Sequence, residues 1–330
     1  MLNIAIIGAG LSGLTLAHNL KDHADITVFE KSRGVGGRIA TRYASKYKVD
    51  HGAQFFSAKS LKFQKFIKPM IDDGIINTWD ANFAEIVGDK IIRKSKWDKS
   101  CPHYVGVPGM NAIGKYLSQG LNVLLNTNVT ELIYNDKWQV YGENRVDLGR
   151  FDWVIVTAPA AQTFSLIPTN VRNNWPLDKI KMQACFSLML GFDENLGLDF
   201  DAALVRDADI SWISINSSKP GRDDDYTLLV HSTNSWAESN IDGDKEFVKD
   251  FLCAETSRVI GCDVGTANHI GLHGWRYANI SSQKEMQEFI DSDIKIAACG
   301  DWCSHGRVEA SFISAERIAA KVIEDINKLR

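Results

Sequence analysis

The stretch Asn3-Ile4-Ala5-Ile6-Ile7-Gly8-Ala9-Gly10-Leu11-Ser12-Gly13, followed by Ile26-Thr27-Val28-Phe29-Glu30 and Lys31-Ser32-Arg33-Gly34-Val35-Gly36-Gly37-Arg38, decides the fold. Ile4 to Ile7 is a short unbroken apolar run, the pattern of a strand buried on both faces of a parallel sheet. It ends in Gly-x-Gly-x-x-Gly, and Leu14 to Leu20 then carries helical apolar spacing. Gly8 permits the tight turn, Gly10 lets the backbone approach a pyrophosphate, and Gly13 lets helix and strand pack closely. The helix opening at Leu11, Ser12 and Gly13 offers free N–H groups to phosphate. Glu30 closes the second β-rich run, where a carboxylate accepts hydrogen bonds from ribose hydroxyls.

A glycine-rich turn alone is weak evidence. Here it follows a strand, opens a helix and has its acid at the expected distance, so it reads as a dinucleotide site. Lys31 to Arg38 then decides which dinucleotide. It is a second glycine-rich, cationic loop, for which an NAD-only domain has no need but a longer, more deeply buried FAD does. Gly36 and Gly37 allow close backbone approach, and Arg38 can pair with the pyrophosphate. The expected cofactor is FAD.

With 330 residues, 45% of them apolar, the chain can fill two cores. A net charge of −4 supplies no basic field for nucleic acid. No stretch has transmembrane length and Met1-Leu2-Asn3 is no charged leader, so the expectation is a cytoplasmic protein without membrane or nucleic-acid partners. Cys101, Cys185, Cys253, Cys262, Cys299 and Cys303 lack metal spacing and read as buried free thiols; no metal is expected.

Further along, Tyr47 to Phe56 reads as a strand running into a turn. Gly52 and Ala53 there are small enough for backbone to touch a planar ring, with Gln54 and Phe55 facing substrate. His51 reads as a satisfied structural histidine rather than a catalytic base. Ile75 to Ser100 is strand-like and polar, a first excursion into a second domain. Phe151 to Pro159 returns as a buried strand. Ala160 to about Trp275 carries no dinucleotide signature: Cys185–Phe192, Ile210–Ile215 and Tyr226–His231 read as strands, Lys219 to Arg222 as a turn, and Lys245 to Ile260 as a helix. Trp236 follows His231 on the same approach. Ile294 to Asp301 is a buried strand ending in Gly300-Asp301, the acid placed for a ribityl hydroxyl or the pyrophosphate. A long amphipathic helix follows to Leu329. Its N-terminus, at Val308, Glu309 and Ala310, can point its positive end at the flavin.

The resulting fold class is α/β. A Rossmann-type FAD-binding domain, a parallel sheet with helices (residues 1–74, 101–160 and 276–330), is interrupted by an α+β substrate domain built on an antiparallel sheet (75–100 and 161–275). Hydride transfer needs a donor held over the flavin in a dry, aromatic-walled pocket. Trp275 and Tyr277 are the expected walls, with Gln54 and His231 as polar contacts.

These stretches, with Asp50-His51-Gly52-Ala53-Gln54-Phe55-Phe56, Val107-Pro108-Gly109-Met110, Lys219-Pro220-Gly221-Arg222 and Gly300-Asp301-Trp302-Cys303, resemble the glutathione-reductase-type flavoproteins of the amine oxidase superfamily. Within that group the chain looks most like the bacterial renalase-type enzymes. The resemblance implies that Val129 brackets the adenine. It also implies an oxidase that takes hydride from dihydro-isomers of NAD(P)H and passes electrons to O2, giving H2O2. Trp302-Cys303-Ser304 does not mark a flavin tether, so the FAD is expected to be non-covalent. A flavin amine oxidase, an NAD(P)H-dependent flavin monooxygenase and a non-catalytic FAD-stabilised scaffold are the rivals, since nothing but family likeness separates a dihydronicotinamide pocket from an amine pocket.

Overall fold

The computed structural model describes residues 2–280 and 289–328. The chain divides into two compact units. Met1–Arg38, Gly114–Met182 and Asn279–Arg330 form the first, and Ile39–Ile113 with Gln183–Ala278 the second.

In the first unit a six-stranded sheet runs in the order Phe289–Asp291, Ile296–Ala298, Trp153–Val156, Asn3–Ile7, Asp25–Phe29, Asn122–Leu124. All neighbours are parallel except the first pair. Ile4 to Ile7 and Trp153 to Val156 are buried throughout, as continuous apolar runs covered on both faces must be. The helix Leu11–Leu20 links the first two of these strands in sequence. The helix Val308–Lys328 buries Ala310, Phe312, Ala315, Ile318, Ala319, Val322 and Ile326, one stripe at helical spacing. It lies along Leu11–Leu20, where Ser12 Oγ donates to Ser311 O at 3.0 Å and Asn19 Nδ2 donates to Glu316. Leu329, the expected end of this helix, lies outside the described residues. A three-stranded antiparallel sheet (Val129–Asn135, Lys137–Gly142, Asp147–Phe151) completes the unit.

The second unit is built on a seven-stranded sheet ordered His269–Ile280, Met182–Phe192, Tyr226–Ser232, Ile210–Ile215, Ala202–Arg206, Asn82–Val87, Lys90–Lys96. The sheet is mixed rather than purely antiparallel, because Asn82–Val87, which comes from the first excursion, pairs parallel with Ala202–Arg206. Side chains alternate across it. Phe186, Leu188, Leu190, Ile213, Leu228 and Val230 face a core closed by Val248, Leu252 and Val259 of the helix Lys245–Ile260. Trp236 belongs to that core, stacked on Phe251 at 4.7 Å, and so leaves the face of His231 on which it was expected. Paired positions carry Ser187, His231 and Trp212 in one row of the opposite face, with Ser214 two residues along. The edge strand Lys90–Lys96 is exposed throughout, and its Lys and Arg residues deter edge-to-edge pairing.

Residues 39–74 and 101–113, expected with the nucleotide-binding part, pack in the second unit. Val49 joins Met189 and Leu229 in a small apolar cluster of its own there. Residues 161–182 pack in the first unit. Among the described residues no helix is long and apolar enough to cross a membrane.

A Cβ built on Gly13 stands 1.9 Å from Gly8 O, so Gly13→Ala must displace backbone. We expect it to destabilise the protein by roughly 3 kcal/mol or more in denaturant unfolding. Gly74→Ala, with open space around it and φ of +71°, should cost only about 1 kcal/mol.

Candidate functional site

In the first unit, Gly8 takes φ of +109°, which a side chain would resist, and its N–H donates to Phe29 O at 2.8 Å. The strand thereby turns at once into the helix, whose first internal bond runs from Leu14 N to Gly10 O at 3.0 Å. The amides of Leu11, Ser12 and Gly13 precede that bond, as the phosphate reading requires. The second glycine loop packs directly on the first. Gly36 N donates to Ala9 O at 2.8 Å, and a Cβ on Gly37 would stand 3.2 Å from Gly10 Cα. Gly114 closes the stack, since its Cβ would meet Gly36 Cα at 2.8 Å.

Glu30 is buried and ties the two loops together, accepting from Ala9 N and Ser32 N, both at 2.8 Å. Each carboxylate oxygen keeps a further lone pair for a hydroxyl. Arg38 and Asp301, read separately from the sequence, form one unit. The guanidinium fork grips both carboxylate oxygens at 2.9 and 2.5 Å. Gly300 precedes Asp301 because a Cβ there would strike the Trp302 indole at 2.3 Å. Val129 begins its strand buried, and Lys31 is exposed, donating to Gln162 at 3.3 Å. The last helix begins at Val308, with Glu309 in its first turn and Ala310 buried, as the sequence pattern anticipates.

In the second unit the turn Asp50–Phe55 lies on the sheet face that carries Ser187, Ser214 and His231. His51 O accepts from Ser187 Oγ at 2.7 Å and from Trp275 Nε1 at 2.8 Å. Gln54 has its hydrogen-bonding capacity committed inside the unit. Its Nε2 donates to Asp50 O (2.7 Å) and Gly52 O (2.9 Å), and its Oε1 accepts from Ser214 Oγ and Lys219 Nζ, both at 3.0 Å. Beneath the turn, Asp50 is fully buried and accepts from Thr41 Oγ1 (2.7 Å), Met110 N (2.9 Å), Lys219 Nζ (3.2 Å) and Arg222 Nη2. Burial opposes its charge, yet Lys219 and Arg222 outweigh burial and bring its pKa down to about 2. Burial lowers Lys219 to about 8 against the pull of Asp50.

The rings gather beside this turn. Trp275 stacks on His51 at 5.1 Å, and His273 meets both His51 (4.9 Å) and Trp275 (4.3 Å) edge-on. Tyr277 follows Trp275 by two residues and so shares its face of the strand. Burial, assisted by His273 and Arg42, pushes His51 down to about 3; burial brings His231 and His273 to about 4. All three imidazoles are neutral at pH 7. His51 does pack structurally, but not as a satisfied histidine: its Nδ1 is buried with no hydrogen-bond partner among the described residues.

Two sequence patterns match this architecture. That of the NAD(P)-binding Rossmann-like domain covers residues 6–69, and that of the flavin containing amine oxidoreductases covers residues 97–323. The chain belongs to the flavin-containing amine oxidoreductase family. Prenylcysteine oxidase 1-like proteins of Bos taurus and Mus musculus are 42% identical over 71 residues and 44% over 69. Those matches span 20% of this chain and 14% of the relatives' length. A protoporphyrinogen oxidase-like protein from Exiguobacterium sp. 255-15 has the same fold, with TM-score 0.76 at 10% identity over 98% of this chain and 99% of that one. Putrescine oxidase bound to putrescine gives 0.70 at 12% identity with the same coverage. At such identities the likeness is one of fold.

A flavin-containing amine oxidoreductase is an FAD-dependent enzyme, and the first unit fits that cofactor. Gly10 is extended (φ −75°), and a Cβ on it would meet nothing within 4 Å, whereas the glycines packed around it leave no such room. The open side of Gly10 is therefore a place in this turn where a pyrophosphate can lie against backbone. Glu30 could supply the ribose acceptor, and Arg38, paired with Asp301, a cation of the same unit.

Sequence reading found the cradle and missed the charges under the turn. Lys219 and Arg222 read only as turn flanks, although two cations around a Pro-Gly are a detectable hint of a pinned loop. Cys101 is exposed, not buried as expected, while Cys303 is buried.

Two expectations follow. Gly10→Ala should fold with stability within about 0.5 kcal/mol of the parent yet bind FAD at least about tenfold more weakly in reconstitution titrations, the opposite split from Gly13→Ala. The second concerns pH. Folded pKa values of about 3, 4 and 4 for His51, His231 and His273 lie below the usual 6.5. The unfolded chain then binds more protons between about 6.5 and 4, and stability falls as pH drops through that window. Asp50 withdraws its contribution only below 3.8. Melting temperature against pH should therefore decline from near 6.5, and His273→Asn should flatten the decline.

Proposed function

We propose that this FAD-dependent oxidoreductase is a renalase-type oxidase acting on dihydro-isomers of NAD(P)H. The reading is carried by the ring-lined face around the Asp50–Phe55 turn, whose imidazoles are neutral and whose adjoining cation is Arg42, 3.3 Å from His273 Nδ1. Three imidazoles with pKa values of about 3 to 4 are poor general bases at neutral pH. Hydride transfer needs no base, because no proton leaves before the hydride does. The buried carboxylate on this face, Asp50, is already matched by Lys219 and Arg222, so an ammonium group finds no free counter-charge in it. A flat, neutral donor instead finds rings to stack on.

When bound, the flavin supplies the chemistry of accepting a hydride and returning two electrons to O2. The balance is dihydro-NAD(P) plus O2 plus one proton to NAD(P)+ plus H2O2. This chain's residues bind, orient and exclude water. Trp275 and Tyr277 serve as walls, and His231 as a neutral polar contact. Gln54 acts on the turn, which it braces from within, rather than on the substrate directly.

The competing reading is oxidation of a small amine. It draws on the family's description and on the putrescine seen in a structure of the same fold.

Anaerobic stopped-flow mixing separates the two. The 2- and 6-dihydro isomers should bleach the flavin at least about a hundredfold faster than putrescine or benzylamine, equivalent to about 2.7 kcal/mol in barrier. H2O2 should then appear one-for-one with substrate in air. Bleaching by amines alone would replace this reading with its rival.

A further inference from the structure

The arginines of the second unit face carboxylates, with one exception. Arg93 and Arg206 share Glu85, Arg222 meets Asp50, Arg258 meets Glu255 and Arg276 meets Asp242. Arg42 has no acid partner among the described residues; its Nη2 donates to His273 Nδ1 at 3.3 Å. A guanidinium has no acceptor atom and stays charged, so His273 offers a lone pair on Nδ1 and carries its proton on Nε2. A neutral imidazole holds the guanidinium in place without neutralising it.

The strand register shows why no acid reaches it. Arg42 lies in the strand Thr41–Ala44, opposite Val49. Thr41 turns its hydroxyl to Asp50, and the next side chain along a strand points the other way. Arg42 is thereby kept off the buried acid and set, half-buried, beside the rings. The segment before the helix Lys245–Ile260 supplies no counter-charge either. Asp242 is taken by Arg276, Asp244 caps the helix through the amides of Glu246 and Phe247, and Glu246 pairs with Lys249. That helix adds a cation instead: burial, Arg42 and Lys245 together keep a second proton off His273.

An arginine out in solvent needs no partner. Arg42 differs in its burial and in its place, because His273, on which it rests, meets the Trp275 indole edge-on at 4.3 Å. The cation is thus one imidazole away from a wall of the donor's site.

We infer that Arg42 anchors the substrate by a phosphate, one ribose away from the ring that stacks on Trp275. The inference rests on the hydride-donor reading above and names the residue that separates a nucleotide from a bare ring. With one N–H given to His273, the rest of the guanidinium fork is open to the paired N–H···O contacts that phosphate accepts. Lys245 adds positive field without having to touch the ligand. The same surplus of positive charge disfavours an ammonium group at this face.

The test is equilibrium binding to the FAD-loaded enzyme, read from the flavin absorbance and by calorimetry. The probes are nicotinamide mononucleotide and nicotinamide riboside, which differ only by the phosphate. Wild type should bind the mononucleotide at least about tenfold more tightly than the riboside. Arg42→Gln should bring the mononucleotide down to the level of the riboside, with the riboside itself changed by no more than about twofold. Arg42→Lys should restore part of the difference. Comparing the two probes within each variant cancels any loss of folded protein. Equal binding of the probes by wild type, no binding of the mononucleotide at millimolar concentration, or a phosphate preference retained in Arg42→Gln overturns the anchor. Should the preference hold and vanish as described while no dihydronicotinamide isomer bleaches the flavin, the anchor stands and the proposed reaction falls. Should the isomers bleach the flavin with no phosphate preference, the reaction stands and the anchor falls.

Discussion

A carboxylate with no exposed surface needs partners, and Asp50 determines much of the second unit through those it has. Its oxygens collect a hydroxyl from Thr41, the amide of Met110, the ammonium of Lys219 and the guanidinium of Arg222. These come from three separate segments, so one charge joins the hairpin Thr41–Asp50, the residue before the helix Asn111–Leu117 and the turn after Ser218. Removing one member of such a buried pair strands the others and costs about 3–5 kcal/mol, which is why the arrangement holds a single geometry. Lys219 extends the grip to Gln54 and Asn216, and Gln54 passes it to Ser214 on the sheet. The turn that presents Gly52, Ala53 and Phe55 is thus held from below by charge and from the sheet by hydroxyls. Its own side chains are left free to be apolar and neutral.

How much of this could be read from the sequence depends on the separation of the partners. The nucleotide cradle was legible because Gly8, Gly10, Gly13, Glu30, Gly36 and Gly37 act within thirty residues of one another, and each has a backbone reason for its identity. The strand Trp153–Val156 was legible for the same local cause, as an unbroken apolar run. Asp50 and Arg222 are 172 positions apart, and neither has a local pattern that announces the other. Arg38 and Asp301, 263 apart, were each recognised as cofactor-directed, but not as a single ion pair. Likewise Gln54 looked free for substrate because its four hydrogen-bond partners come from the fold, not from its neighbours alone. Trp236 failed for a different reason. A helix begins between it and His231, and the change from period two to period 3.6 turned the indole to the other side of the sheet.

The same contrast decides what likeness to other proteins can carry. A nucleotide cradle whose glycines lie close together in the chain is specified by a short local pattern. The ring-lined face is assembled from the hairpin, the strand Ile210–Ile215, the strand Tyr226–Ser232 and the strand His269–Ile280, one or two residues from each. Such a face can be rewritten while the backbone stays, and at 10–12% identity across the whole fold it has ample room to have been. The putrescine in one structure of this fold therefore says little about the ring-lined face here. What speaks to substrate in this chain is the local physics of that face. Its imidazoles are held neutral by burial, its one buried acid is spent on two cations, and its indoles and phenyl rings provide the remaining surface. Those properties favour a flat donor that gives up a hydride over a charged amine that must first lose a proton.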